Sequence, residues 1–223
     1  MNEGDAKANA PETSANDETE KLLDSLRSLR ERLSEAKLLG DKLAEAHALG
    51  EIGMILWETG QRMQAIVSTN SSLEKFRALG DLKGEAKQLN RLGTMLYERG
   101  QLGGPLRCFD QSLSIYEAIG DRSGWADVIA NIGRIYESQG DWSRALYMLT
   151  KAMLTHREIG ARRHEAIDMR RIAVVLSQQG SRQEALSILF SAAEMLRSVG
   201  AVEELLETQR VIDEMNDDDD KIH

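Results

Sequence analysis

Glycine stands at positions 40, 60, 80, 100, 120, 140, 160, 180 and 200 of the chain, a lattice of twenty-residue steps. No other feature restricts the fold as much. Glycine takes the left-handed conformation at a helix end without a Cβ clash, so the lattice marks a series of helix stops. The clearest copy of the underlying unit covers 120–160, GDRSGWADVIANIGRIYESQGDWSRALYMLTKAMLTHREIG. In its first half Trp125, Ile129, Ile132, Gly133 and Tyr136 fall on one helical face. Gly140 stops that helix, and Asp141 offers a carboxylate to the unpaired N–H groups of the next helix start. Trp142, Ala145, Leu146, Leu149, Ala152 and Met153 make the apolar face of a second helix, which Gly160 closes. One helical hairpin cannot bury both of its faces, so the unit requires stacked copies.

The copies are in register at forty residues. Gly53, Gly93, Gly133 and then Ala173 occupy equivalent places inside the first helices. A mid-helix glycine costs roughly 1 kcal/mol against alanine, and close approach of the paired helix at Ala65, Ala145 and Ala185 is the expected compensation. Pro105 stands where copy two should carry that alanine, and proline is tolerated only in a first turn. The second helix of copy two is therefore expected to start late, near Pro105. Gly103-Gly104-Pro105 lacks the lysine-serine and strand context of a phosphate cradle and reads as a plain loop. Ser181 and Glu184 have the spacing of a capping box.

Asn131-Ile132-Gly133-x-x-Tyr136, Gly140-Asp141, Ala145 and Ala152 resemble the tetratricopeptide repeat. The forty-residue period, with Gly-Asp at 40–41, 80–81 and 120–121, is similar to the repeats of kinesin light chains and cell-polarity adaptors. The resemblance implies an all-α, right-handed α-solenoid of stacked antiparallel helix pairs. Four full repeats are expected at 41–80, 81–120, 121–160 and 161–200, with a half-repeat cap at each end. Leu22, Leu23, Leu26, Leu29, Leu33, Ala36 and Leu39 place an N-terminal capping helix in 19–40, and a C-terminal capping helix is expected at 201–215. Residues 1–18, polar and acidic, read as a disordered tail. Residues 216–223 hold an aspartate run that is a native acidic tail or a cleavage-tag remnant; it lacks the ligand spacing of a calcium loop.

With a formal net charge of −9, the chain lacks the basic footprint of a general nucleic-acid binder. Its single cysteine, Cys108, fits a reducing compartment and reads as a half-buried packing residue. No apolar run reaches membrane-spanning length and no signal peptide is visible, so a cytoplasmic setting is expected. His47, His156, His164 and His223 share no metal-ligand spacing, and no catalytic or cofactor motif is present. Neither enzyme chemistry, a metal nor a cofactor is expected. His156, Arg157, Arg162, Arg163 and His164 read as a solvated basic turn.

In the resembled family the first helix of each repeat lines the concave groove. Carried over residue by residue, that rule gives ladders: Glu51, Arg91, Asn131, Arg171; Gly50, Asn90, Ala130, Arg170; His47, Lys87, Asp127, Ile167; Met54, Thr94, Arg134, Val174; Trp57, Tyr97, Glu137, Ser177. Met54, Trp57 and Tyr97 would form an apolar end, and Lys87, Asn90, Arg91, Asn131, Arg134, Arg170 and Arg171 a basic middle and far end. Guanidinium forks suit carboxylates and aromatic side chains suit apolar anchors. The groove is thus expected to take an acidic or amphipathic protein or peptide segment, with no nucleic-acid or membrane partner. Pairing of the arginines with Glu51, Glu58, Glu98, Asp127 and Glu137 is the competing reading. Of the clamp by which some such domains hold a C-terminal carboxylate, only Asn131 and Arg171 match; Asn90, Thr94 and Ile167 depart from it. Self-assembly, or an acidic tail lying in the groove in cis, is the alternative function.

Overall fold

The computed structural model describes the backbone of residues 11–100 and 104–220 and the side chains of residues 19–100 and 104–217. Residues 1–10, 101–103 and 221–223, which hold much of the expected tails and the front of the glycine-rich loop, lie outside the described residues. The described residues are all-α, with no strand among them. They form α1 (Pro11–Leu39), α2 (Lys42–Glu58), α3 (Arg62–Leu79), α4 (Leu82–Glu98), α5 (Gly104–Ile119), α6 (Arg122–Ser138), α7 (Trp142–Glu158), α8 (Arg162–Gln178), α9 (Arg182–Ser198) and α10 (Val202–Asp220).

The chain divides into two compact units, Met1–Gly100 and Gln101–His223. The division falls inside copy two, with α4 in the first unit and α5 in the second. In the first unit α1 packs on α2, α2 on α3 and α3 on α4; in the second each helix from α5 to α10 packs on the next. This is the stacked-pair pattern that the sequence requires, because each helix buries one stripe against each neighbour.

All nine lattice glycines are left-handed, with φ between 68° and 85°. Asp41, Asp81, Asp121 and Asp141 cap α2, α4, α6 and α7 by accepting from the N–H three residues on, at 2.8–3.1 Å. Ser181 occupies the cap position of α9 but makes no side-chain cap bond, contrary to the expected capping box. Its ψ is 51°, against 73–91° at the four aspartates, so the short hydroxyl is not set toward the free N–H groups. In α5 (Gly104–Ile119) Pro105 lies in the first turn of the described helix, where its missing N–H is tolerated; the expected late start falls on residues 101–103, outside the described residues.

The apolar stripe of α7 is buried as its spacing dictates: Ala145, Leu149 and Ala152 are fully covered, with Trp142, Leu146 and Met153 packed beside them. A Cβ on Gly53 would lie 2.4 Å from Thr69 Oγ1 and 3.2 Å from the Ala65 carbonyl oxygen, so Ala65 does mark the close approach there. At Gly133 the residue met is different. Its Cβ would lie 2.9 Å from Leu149 Cγ, so α7 approaches through Leu149 rather than Ala145.

Both ends differ from their expected bounds. The N-terminal helix begins at Pro11 rather than at 19, because proline is preorganised for a first helical position and no breaker follows it. The C-terminal helix continues to Asp220 rather than ending near 215, since no glycine or proline interrupts Val202–Asp220.

Candidate functional site

First helices in each unit present the ladder residues. In the first unit the basic position is neutralised. Arg91 on α4 donates to the Gly50 carbonyl at 3.1 Å and to Glu51 Oε1 at 3.0 Å, both on α2. Its side chain is only 16% exposed. Trp57 is also engaged: its Nε1 donates to Glu98 at 2.8 Å, and the Arg62 guanidinium lies 4.4 Å above its ring. Met54 packs against the cluster of Leu26, Ile52, Leu56, Ala65 and Met95. Lys87 is exposed; Asn90 and Tyr97 are half-buried. The expected apolar anchor at Trp57 is therefore covered by charged side chains, and Arg91 follows the competing reading.

The second unit presents a different face. Arg170 on α8 pairs with Glu207 on α10 and is 14% exposed, which takes it out of the open basic set. Arg134 on α6 and Arg171 on α8 are half-buried side by side, and Asn131, also half-buried, lies one helical turn before Arg134. Arg171 makes no hydrogen bond or ion pair among the described residues. Burial first, and repulsion from Arg134 and Arg170 next, push its guanidinium down to about 10. Glu137 faces both arginines, yet burial raises its carboxyl above the usual range. Asp168 and Glu137 offset the lowering of Arg171 in part without an ion pair to it, and it is left a partly desolvated cation. A carboxylate brought to it would gain charge-assisted hydrogen bonds.

Behind this face lies an ionic cluster that sequence reasoning missed. His156 on α7 is buried, 1% exposed. Its Nδ1 is 2.7 Å from Asp168 Oδ2, and its Nε2 stands 3.3 Å from Asp127 Oδ1. Burial alone would lower the imidazole; Asp127 and Asp168 outweigh it and lift it to about 9. Burial raises Asp168, with His156 pulling it down. His156 is thus no part of a solvated turn. Arg157 pairs with Glu165 at 2.6 Å and Arg163 pairs with Glu204, so most of that basic run is neutralised locally. The missed signal is the forty-residue ladder Phe76, Tyr116, His156, Leu196, whose other members are buried. Phe76 and Tyr116 each close over a glycine, where a Cβ on Gly84 or Gly124 would come within 2.2 or 2.3 Å of the ring. In the third instance the glycine is His164, its ring centroid 5.1 Å from that of His156.

Other chemistry is sparse. Cys108 is half-buried. Among the described residues no group of three His, Cys, Asp or Glu side chains could hold a metal ion, and no helix is long and apolar enough to cross a membrane.

Comparison with known proteins follows from this geometry. Models described as tetratricopeptide repeat match residues 86–119 and 128–168. No curated protein matches the chain by sequence. Among solved structures, aspartyl phosphate phosphatase F from Bacillus subtilis aligns with a TM-score of 0.74 at 14% identity, over 86% of this chain and 51% of that one. The Rap conjugation gene regulator of the plasmid pLS20, in complex with a Phr peptide, aligns with a TM-score of 0.68 at 15% identity, over 92% and 63%. Kinesin light chain TPR-like repeats from Podospora anserina align with a TM-score of 0.59 at 14% identity, over 82% and 91%. The chain spans about half of the first protein and under two thirds of the second. At these identities the likeness is one of fold, a tetratricopeptide-type helical solenoid.

Proposed function

We propose that this chain of tetratricopeptide-type helix pairs is a protein-interaction scaffold, not an enzyme, which receives an acidic segment of a partner on the first-helix face of its second unit. The observation that carries the reading is Arg171, a half-buried guanidinium without hydrogen bond or ion pair among the described residues, beside Arg134. A desolvated cation left unneutralised is costly to the fold by itself, and a bound carboxylate removes that cost. Asn131, on the same face, offers an amide that can bond a partner's main chain. The solved structure named as a complex with a Phr peptide supports a peptide as the class of ligand, as a precedent of fold. A cytoplasmic setting fits the single cysteine.

The test is calorimetric titration of an amidated synthetic peptide of glutamate, leucine and serine into the whole protein at low and high salt. Binding that weakens with salt and is lost in Arg171→Glu supports the reading. Binding that ignores both sinks it.

A second reading has one observation in its favour. Glu207 of α10 already holds Arg170, so the acidic C-terminal helix covers part of the basic face in cis. If α10 restrains the site, Glu207→Gln tightens the same peptide's binding; unchanged affinity rejects that restraint.

A further inference from the structure

We infer that His156 is a positioning residue for this face: by holding Asp168 at its own ring, it keeps that carboxylate out of an ion pair with Arg171. The inference rests on the acidic-segment reading above and concerns how that site is kept available.

The starting point is helical spacing. Asp168 and Arg171 are three residues apart on α8, where opposite charges are neighbours and ordinarily pair. They do not pair here. Asp168 is buried, with its Oδ2 2.7 Å from His156 Nδ1, and Arg171 has neither hydrogen bond nor ion pair among the described residues. On the neighbouring first helix Asp127 faces the far nitrogen of the same ring at 3.3 Å, while Glu137 is the carboxylate of that helix that acts on Arg171, without an ion pair. The buried imidazole thus takes the hydrogen bond of Asp168, the aspartate that acts on Arg171 from the same helix, in place of an Asp168–Arg171 ion pair. His164 stacks beside His156 and adds no acid to the cluster.

The first unit shows what happens without this device. Phe76 stands at the place of His156, Gln88 at that of Asp168 and Arg91 at that of Arg171. At the ladder position of Asp127 stands an imidazole, His47, which packs edge-on against Phe76 with ring centroids 5.0 Å apart, and the arginine is taken by Glu51 at 3.0 Å. Leu196, at the same ladder position one copy later, is likewise apolar and buried.

Removing the imidazole while filling its space should release Asp168. A buried carboxylate without a partner is unfavourable, and the nearest unneutralised cation on its own helix is Arg171. The ion pair then formed would occupy the guanidinium that a partner's carboxylate needs. A purely structural role for His156 would predict something else, a loss of stability with no rescue of binding by neutralising Asp168.

The experiment titrates the amidated glutamate–leucine–serine peptide against wild type, His156→Phe, His156→Phe with Asp168→Asn, and Arg171→Glu, each checked for folding by circular dichroism. Expected is about a tenfold loss in His156→Phe, one charge-assisted hydrogen bond's worth, and recovery to within about threefold in the double variant. His156→Gln, which keeps polarity but cannot carry the charge, serves if the phenylalanine does not fold, with the same loss and the same rescue by Asp168→Asn. Unchanged affinity in the His156 variant, or a loss that Asp168→Asn does not restore, overturns the inference while Arg171→Glu still abolishes binding. If Arg171→Glu itself has no effect, the failure belongs to the acidic-segment reading instead.

Discussion

The two units offer the same ladder of first-helix positions, and they use it in opposite ways. In the first, Arg91 lies against Glu51 and the Gly50 carbonyl, and Trp57 lies between Glu98 and Arg62. In the second, Arg134 and Arg171 share a half-buried face while the nearby aspartates are held by His156. A common scaffold therefore sets positions, and the choice of neighbours at those positions decides which arginine is held in an ion pair, as Arg91 is and Arg171 is not. Counting arginines on a face does not show which are so held.

Charge reversal should separate the faces most strongly. Arg134→Glu with Arg171→Glu is expected to weaken the acidic peptide by about 100-fold or more, two charge-assisted hydrogen bonds' worth, with helicity unchanged. Arg91→Glu should alter affinity by less than about threefold, because its guanidinium is already spoken for. Equal losses from the two faces, read by calorimetry, would erase the distinction.

A packing lesion should act on the scaffold instead. Gly133→Leu places a side chain where Leu149 Cγ would be 2.9 Å from its Cβ, and overpacking of this kind costs about 1–3 kcal/mol. A lower thermal midpoint is expected, and an unaltered melting curve would contradict the close helix approach.

Next in size is a pH signature confined to the second unit. His156 has its folded pKa raised to about 9, above the ordinary imidazole value near 6.5. Its stabilisation is therefore full below about pH 6.5 and lost as pH rises through about 9. Denaturant unfolding of wild type should show a decline on the order of 1–3 kcal/mol across that window, which His156→Phe removes. Identical slopes in the two proteins would mean that the imidazole is not held by its aspartates.

The smallest effects test whether stability alone can mimic the binding difference. Asp141→Ala loses the cap bond to the Arg144 N–H at 3.1 Å and should cost about 1 kcal/mol without weakening the peptide. Ser181→Ala, with no cap bond to lose, should change stability by only a few tenths, about 0.3 kcal/mol. Comparable losses at both positions would show that Ser181 caps α9 in solution.

Much of this fold is legible in the chain because its signals are local and repeated. The left-handed glycines, the aspartate caps and the place of Pro105 in the first described turn of α5 each follow from backbone constraints within a few residues. The site is less legible, and the reasons are particular. His156 adjoins Arg157 in sequence and so suggests a basic turn, but its environment is set forty residues away, by the ladder of Phe76 and Tyr116. Arg170 looks open until α10 is placed, because its partner Glu207 belongs to a helix two further along the chain. Trp57 looks like an anchor until Glu98 and Arg62 are seen against it. The ends differ for another reason: polarity marks where a helix is weakly held, whereas only glycine, proline or a cap marks where it stops.

The most direct measurement is amide hydrogen exchange of the whole protein with and without the amidated glutamate-rich peptide. The account predicts added protection on α6 and α8, around Asn131, Arg134 and Arg171, that disappears in Arg171→Glu. Protection confined to α2 and α4, or no protection at saturating peptide, would contradict it.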